Sequence, residues 1–441
     1  MTPPAYLAVA RFGLGARPGE LDIAARDPQG WVAAQLNGGA EIPARLARFG
    51  DGATRAGELA MRFGRDPAGV ARLLQREHRT AYLDEASARV LVHVETDRPF
   101  HERLVQFWSN HFTVSVQRPA VLALAGPFER EAIRPHVGGR FRDMLLASSR
   151  HPAMLLYLDQ AVSMGPNSRA GLRTGRGLNE NLAREILELH TLGVNGGYTQ
   201  GDVTEFARIL TGWAIARDNA EGAPGRFLDR PNLHEPGAKT LLGRRFGENG
   251  EREGIAALEM LAAHPSTARF VATKLARHFI ADDPPPAAVE RLARIFRETD
   301  GDLAQLHGAL VELPGAWNPT LAKVKTPHEF VVAALRVTGY AGEPRRLLQT
   351  LQLLGQGSFA APSPAGWPDT AEHWIGPDSV MRRAEWAASF AQRLGKREPD
   401  DVMRVALGPA ARDETRRWAE RAASATDAVA LVFASPEFQR R

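Results

Sequence analysis

The residues best suited to chemistry crowd into one stretch, Gly177 to Ala216, which reads GLNENLAREILELHTLGVNGGYTQGDVTEFARILTGWAIA. Arg184, Glu185, Glu188 and His190 fall close together in it. A carboxylate can pass a proton, an imidazole titrates near neutral pH, and a guanidinium can hold an anion. Wound at about 100° per residue, Leu182, Ala183, Ile186, Leu187, Leu189 and Leu192 form a wide apolar arc. Glu185 falls in one part of that arc and His190 in another. Glu180, Asn181, Arg184, Glu188 and Thr191 make the remaining polar face. A helix this apolar is expected to be buried. Glu185 and His190 must then be paired, hydrogen-bonded or metal-bound. Since they occupy opposite flanks, each needs its own partner. The plainer reading of the polar face is an ion set in which Arg184 meets Glu180 or Glu188 at i,i+4 spacing, worth about 0.2–0.5 kcal/mol per pair.

Two further places carry suitable groups. In Phe107-Trp108-Ser109-Asn110-His111-Phe112, His111 shares a helical face with Phe100, Leu104 and Trp108. A lone histidine there is more often a core residue than a ligand. In His234-Glu235-Pro236-Gly237-Ala238-Lys239-Thr240, the Gly-x-Lys-Thr string lacks the upstream glycine and the Gly-Lys pair of a phosphate loop. His234 and Lys239 can still approach a substrate from a loop. Glu185, Glu188, His190, His111, Asp202 and His234 are the residue types of a carboxylate–histidine metal site. No HExxH and no repeated Glu-x-x-His is present, so metal and cofactor content stays unassigned. No Gly-x-Ser-x-Gly elbow marks a serine hydrolase.

The elements around these groups are helical. Gly193 suits a left-handed helix end, and Asn195-Gly196-Gly197 a turn. Thr199 with Asp202 reads as a capping box. Val203, Phe206, Leu210 and Trp213 form the core stripe of the following helix, with Glu205 and Arg208 paired off it. The short connection predicts antiparallel packing, with Tyr198 and Asp202 near the His190 end. Elsewhere apolar residues recur at i, i+3, i+4 and i+7, punctuated by Gly and Pro, with Pro at several helix starts. Three loops interrupt this pattern: Ser163–Gly177, Asp218–Lys239 with room for a short hairpin, and Gly355–Pro377. In the last, Trp367 and Trp374 serve either as a stacking surface or as pins to the body. The predicted fold class is mainly α: multi-helical, with orthogonal or antiparallel packing, long loops and at most a short hairpin. Residues 1–441 read as one unit, divisible into 1–160, a core 161–340, and 341–441.

Composition removes several classes. The chain has 441 residues, 44% of them hydrophobic, enough for a large core. A net charge of +4 is no nucleic-acid footprint. With no cysteine, disulfides, thiolate metal sites and cysteine nucleophiles are excluded. No apolar run is long enough to span a membrane. The start, MTPPAYLAVARFGLGARPGE, lacks a basic leader region, which makes the cytoplasm the default compartment.

Several strings together resemble the bacterial DUF1800 family. They are ARFGLGARPGE, FWSNHFTVS, HPAMLLYLD, NENLAREILELHTLGVNGGYTQGDVTEFARILTGW, HEPGAKTLLG, KTPHEF and APSPAGWPDTAEHWI, in family order across nearly the whole chain. The resemblance implies a mostly α-helical protein. It also implies export to the periplasm, and a partnership with DUF1501-type proteins, which are similar to sulfatase- and phosphatase-type hydrolases. It implies no reaction and no catalytic residues.

Three functional readings stand side by side. The first is a hydrolase or lyase acting on a polymer or glycoconjugate. Glu185 or Glu188 is its acid/base, His190, His111 or His234 its proton partner, and Arg184 or Lys239 its anion holder. The second is a non-catalytic helical partner of a neighbouring DUF1501-type hydrolase. The third is a metal-binding module. Oligomeric state stays unassigned.

Overall fold

Proline opens helix after helix in this chain. Pro28–Ala33, Pro99–His111, Pro152–Tyr157, Pro265–Phe279, Pro286–Glu298, Pro327–Thr338, Pro344–Leu353, Pro377–Leu394 and Pro399–Ala406 all begin with it. Its fixed φ and missing N–H suit the first turn, where no intrahelical partner waits for the donor. The structure, a computed structural model, describes residues 2–38, 41–62, 66–340 and 343–441. The subdivision point placed at Ala341 lies outside the described residues. The fold is mainly α, as the periodicity predicts. No described helix is long and apolar enough to cross a membrane.

Two antiparallel two-stranded sheets are present among the described residues, one more than expected. Trp213–Ile215 pairs with Phe227–Asp229, and Lys239–Leu241 with Arg244–Phe246. The first corrects the placing of Trp213 at the end of a helical stripe. The helix Gln200–Leu210 stops at Leu210, and Thr211 takes an extended ψ of 142°. Gly212 then turns the chain at φ +96°, and Trp213 opens a strand. The second sheet closes on Leu242 and Gly243, both at positive φ (50° and 75°), the two-residue turn that matches strand twist. The other local signals hold. Gly193 is left-handed at φ +83°. Thr199 and Asp202 form a reciprocal capping box.

Apolar side chains gather in two buried clusters. The larger packs Phe100, Leu104 and Trp108 against Ile186, Leu187, Phe206, Val271 and Leu275. The smaller surrounds Phe330 and Leu335 with Val90, Trp386, Phe390 and Phe433. The N-terminal segment serves both, Val9 and Phe12 in the first and Tyr6 and Ala10 in the second. Every residue of Pro327–Thr338 is buried.

A buried cation locks these parts together. Arg336 Nε donates to the Gly15 carbonyl at 2.8 Å, and Nη1 to the carbonyls of Val94 (3.0 Å) and Thr96 (3.1 Å). Nη2 meets both oxygens of Glu20, at 3.0 and 2.9 Å. Removing Arg336 leaves Glu20 with Arg17 alone, at 2.7 Å, and leaves the three carbonyls without their donor. Arg336→Met is therefore expected to cost about 3–5 kcal/mol in denaturant unfolding.

Candidate functional site

A cavity of about 330 Å³ opens where four segments meet. The end of Pro99–His111 supplies Gln106, Phe107, Asn110 and His111. Pro265–Phe279 supplies Lys274, Arg277 and His278, whose i, i+3, i+4 spacing sets them on one face while Val271, Ala272 and Leu275 face the core. The start of Pro327–Thr338 adds His328 and Glu329, and the loop between residues 355 and 377 adds Ser358, Phe359, Trp367 and Asp369.

That loop is tied down along its length. Asn110 grips the backbone of Trp367 at two points, accepting from its N–H at 2.7 Å and donating to its carbonyl at 3.0 Å. Gly366 passes so close that a Cβ there would lie 2.5 Å from the Asn110 carbonyl oxygen. Tyr82 donates to the Ser358 carbonyl at 2.8 Å, and Ser115 to that of Ala361 at 2.7 Å. Of the two tryptophans, Trp374 is the pin: it is buried and donates to the Pro368 carbonyl at 2.9 Å. Trp367 lines the cavity.

At the cavity wall His278 Nδ1 donates to Asp369 Oδ2 at 2.6 Å. Lys323 Nζ holds the carbonyl of Asp369 at 2.5 Å and Asp282 Oδ1 at 2.5 Å. Arg441 Nη1 donates to the His278 carbonyl at 2.7 Å, and its Nε lies 3.0 Å from Glu329. Glu329 also pairs with Arg103. Burial would raise the Asp369 carboxyl, but His278, Lys323 and Arg441 outweigh it and hold it well below the usual carboxylate range. Glu329 is held low in the same way, burial being overcome by Arg441 and Arg103. Burial pushes His278 down despite the pull of Asp369. An ionised carboxylate only accepts, so Nδ1 carries the hydrogen and Nε2 the lone pair. Nε2 is buried and has no hydrogen-bond partner.

Lys274 is half-buried in the same wall, and among the described residues it has no carboxylate within ion-pair distance. Burial lowers its pKa to about 8, against the attraction of Asp369. Among the described residues Arg277 also lacks a carboxylate partner and donates to the Asp282 carbonyl, at 3.0 Å. Gln106 Nε2, His111 Nδ1 and Ser358 Oγ, also in the lining, are buried without partners. Each such group costs about 1–3 kcal/mol unless something bonds to it. Groups left open in a concave wall suit it to a polar ligand.

Of the residues singled out from sequence, the structure brings two to this cavity, Trp367 and His111. His111 lines it and donates from Nε2 to the carbonyl of His190 at 3.0 Å. His190 sits behind it, fully buried, its pKa driven down to about 3 by burial and then by the charge of Lys274. Arg184, Glu185 and Glu188 are outside the lining. Arg184 bridges Glu180 (3.0 Å) and Glu188 (3.5 Å), the plain ion set. Glu185 is only half-buried, not buried as the regular wheel predicts, and burial followed by Glu188 raises its carboxyl. A π-turn over Ile186–His190 shifts the facing of that helix. His234 and Lys239 belong to a separate buried cluster, not to a free loop. Lys239 Nζ lies 3.0 Å from Glu253 Oε2 and 3.0 Å from His234 Nε2. His234 Nδ1 donates to the Thr211 carbonyl at 2.8 Å. Asp202 is taken up by its capping box and by the Leu242 N–H at 2.7 Å. Among the described residues no three His, Asp or Glu side chains are grouped to hold a metal ion.

Lys274, His278, Glu329 and Asp369 were not singled out from sequence. The signals available were the i,i+4 spacing of Lys274 and His278, the Thr326-x-x-Glu329 capping box and an aspartate beside Trp367 in a long loop. A family model described as "Protein of unknown function (DUF1800)" matches residues 7–440. No curated protein and no solved structure matches the chain.

The buried imidazoles set an acid limit on stability. His111, His190, His278, His307 and His328 are all held below their ordinary value, by burial first. In the unfolded chain each takes a proton near pH 6.5 (about). Below that pH the unfolded state binds more protons, so stability is full above it and falls as pH drops, by about 1.4 kcal/mol per pH unit for each group. Thermal midpoints measured from about pH 7 to about pH 5 should fall, and His190→Gln should make that fall shallower.

Proposed function

We propose that this chain, which belongs to the DUF1800 family, is an acid–base enzyme of the hydrolase or lyase class, acting on a polymer or glycoconjugate with His278 as proton acceptor. The observation that carries this reading is the Asp369–His278 pair in the cavity wall, with Nδ1 anchored at 2.6 Å and Nε2 without a partner. A half-buried aspartate in this position fixes the tautomer and stabilises the imidazolium once the proton arrives. The lowered pKa of His278 keeps the ring unprotonated, hence basic, at neutral pH. Lys274 and Arg277 on the same helical face offset negative charge as it develops.

The usual glycosidase pairing of a protonated acid with a second carboxylate does not suit this wall. Asp369 and Glu329 are both held ionised by neighbouring cations, so neither keeps a proton to give. That argues for histidine as the group that both takes and returns the proton. Trp367 and Phe359 supply flat apolar surface beside it. Of the groups first singled out, His111 then serves as wall, and Glu185, Glu188, Arg184, His234 and Lys239 as framework.

With turnover established on a panel of glycans and glycosyl esters, His278→Gln is expected to lower kcat by about 10²–10⁴-fold while the thermal midpoint holds. Full activity in that variant would sink the reading. The profile of kcat/KM should rise as His278 loses its proton, below its ordinary value, and fall above about pH 8 as Lys274 loses its charge.

A further inference from the structure

We infer that Lys274 and Arg277 form a carboxylate-binding pair, and that the substrate is a sugar acid: a uronate unit of a glycan, cleaved by elimination. The inference rests on the reading of His278 as proton acceptor and deepens it. The other guanidiniums around the cavity are answered by carboxylates. Arg89 meets Glu129 at 2.7 Å, and Arg103 and Arg441 share Glu329. Lys274 and Arg277 have no such partner among the described residues, although both line the wall. Uncompensated cations withdrawn from water are costly until an anion joins them. The ammonium is a point charge and the guanidinium a fork that fits a carboxylate edge-on.

The choice of a carboxylate follows from the position of the base. His278 stands one residue from Arg277 and one helical turn from Lys274. A carboxylate held by those two cations presents its neighbouring carbon to the imidazole. Neutralising that carboxylate acidifies the hydrogen on this carbon, which is C5 of a uronate. His278 Nε2 takes the C5 proton, the electron pair forms a C4=C5 double bond, and the C4–O bond to the next sugar breaks. The same proton passes from Nε2 to the departing oxygen. No oxidant, reductant or water is consumed. Phosphate or sulfate ester hydrolysis would instead ask for a separate proton donor, which Asp369 and Glu329 cannot provide while ionised. Trp367 offers the sugar ring a face to lie on.

Calorimetric titration with free glucuronate tests the binding half. Ultraviolet detection of the unsaturated product from polygalacturonate, alginate and chondroitin tests the chemical half. Lys274→Met and Arg277→Met are each expected to weaken glucuronate at least about tenfold. His278→Gln is expected to bind it within about twofold of the parent and to form no unsaturated product. Circular dichroism checks that each variant is folded, and two independent cation variants guard against one that is not. A wild-type protein that ignores glucuronate, or that binds inorganic sulfate equally well, overturns the carboxylate assignment. So does binding without unsaturated product from any of the three polymers. If His278→Gln then still abolishes turnover of a neutral glycan or ester, the acid–base reading survives without this one. Unsaturated product formed undiminished by His278→Gln overturns both.

Discussion

The carboxylate of Glu329, gripped between the guanidiniums of Arg103 and Arg441, is the contact on which the rest of the site depends. All three side chains are buried. Taking such charges out of water costs several kcal/mol each, so the cluster persists only because the geometry around it is complete. Glu329 also accepts from the Thr326 N–H at 2.8 Å, which fixes the first turn of Pro327–Thr338. Next to it, His328 is thereby set 2.9 Å from His93. Arg441, oriented by the same carboxylate, reaches the His278 carbonyl and the vicinity of Asp369, 3.9 Å away. One ion cluster thus aligns the helix that bears His278, the loop that bears Asp369 and the helix that closes the cavity.

The molecule repeats this device elsewhere. Glu85 sits between Arg55 (2.9 Å) and Arg130 (2.7 Å), Glu102 takes Arg134 in a two-point contact at 2.7 Å, and Glu129 takes Arg89. Arginine suits this role because its planar fork can satisfy two acceptors at once and stays charged when buried. The sequence carries 55 basic and 51 acidic side chains, nearly balanced, and much of the interior consists of such matched pairs. Against that habit of matching, Lys274 and Arg277 stand out. Arg11, Lys325 and Arg383 are also without a carboxylate among the described residues, but they are buried in the body, where Arg11 and Lys325 donate to carbonyls and Arg383 to Gln439, whereas Lys274 and Arg277 line a cavity.

Much of the fold was legible from local rules, and the site was not. Helix positions follow from 3.6-residue periodicity and from prolines in first turns, both properties of a single segment. So do the Thr199–Asp202 box and the left-handed Gly193. Trp213 was misplaced because its spacing from Leu210 continues the stripe, while the positive φ of Gly212 that breaks it is a tertiary choice. The densest polar string proved to be architecture. Arg184 satisfies Glu180 and Glu188 within its own helix, and His190 backs onto His111 from outside the cavity. The lining residues come from four segments, and each looks ordinary within its own segment. Glu329 reads locally as a helix cap, which it also is, and Asp369 as a loop aspartate. Nothing within a single element reveals that they share a wall. His111 was found, but the stripe of Phe100, Leu104 and Trp108 made its core role the natural reading, and its Nε2 bond to a backbone carbonyl agrees with that role.

The span of the Glu329 cluster has a consequence for how the chain reaches its working form. Arg103 and Glu329 are 226 residues apart, and the Arg441 contact to the His278 carbonyl bridges 163. Contacts of such range form late, after loop-closure entropy has been met by more local packing. Helices such as Pro265–Phe279 and Pro286–Glu298, adjacent in sequence and packed together, can assemble while the remainder is still being synthesised. The cavity wall cannot: its alignment needs the contacts that Arg441 makes with the His278 carbonyl and with Glu329. Before those contacts form the chain has a core but no aligned wall, so the cavity is ordered by long-range contacts and not by any one element.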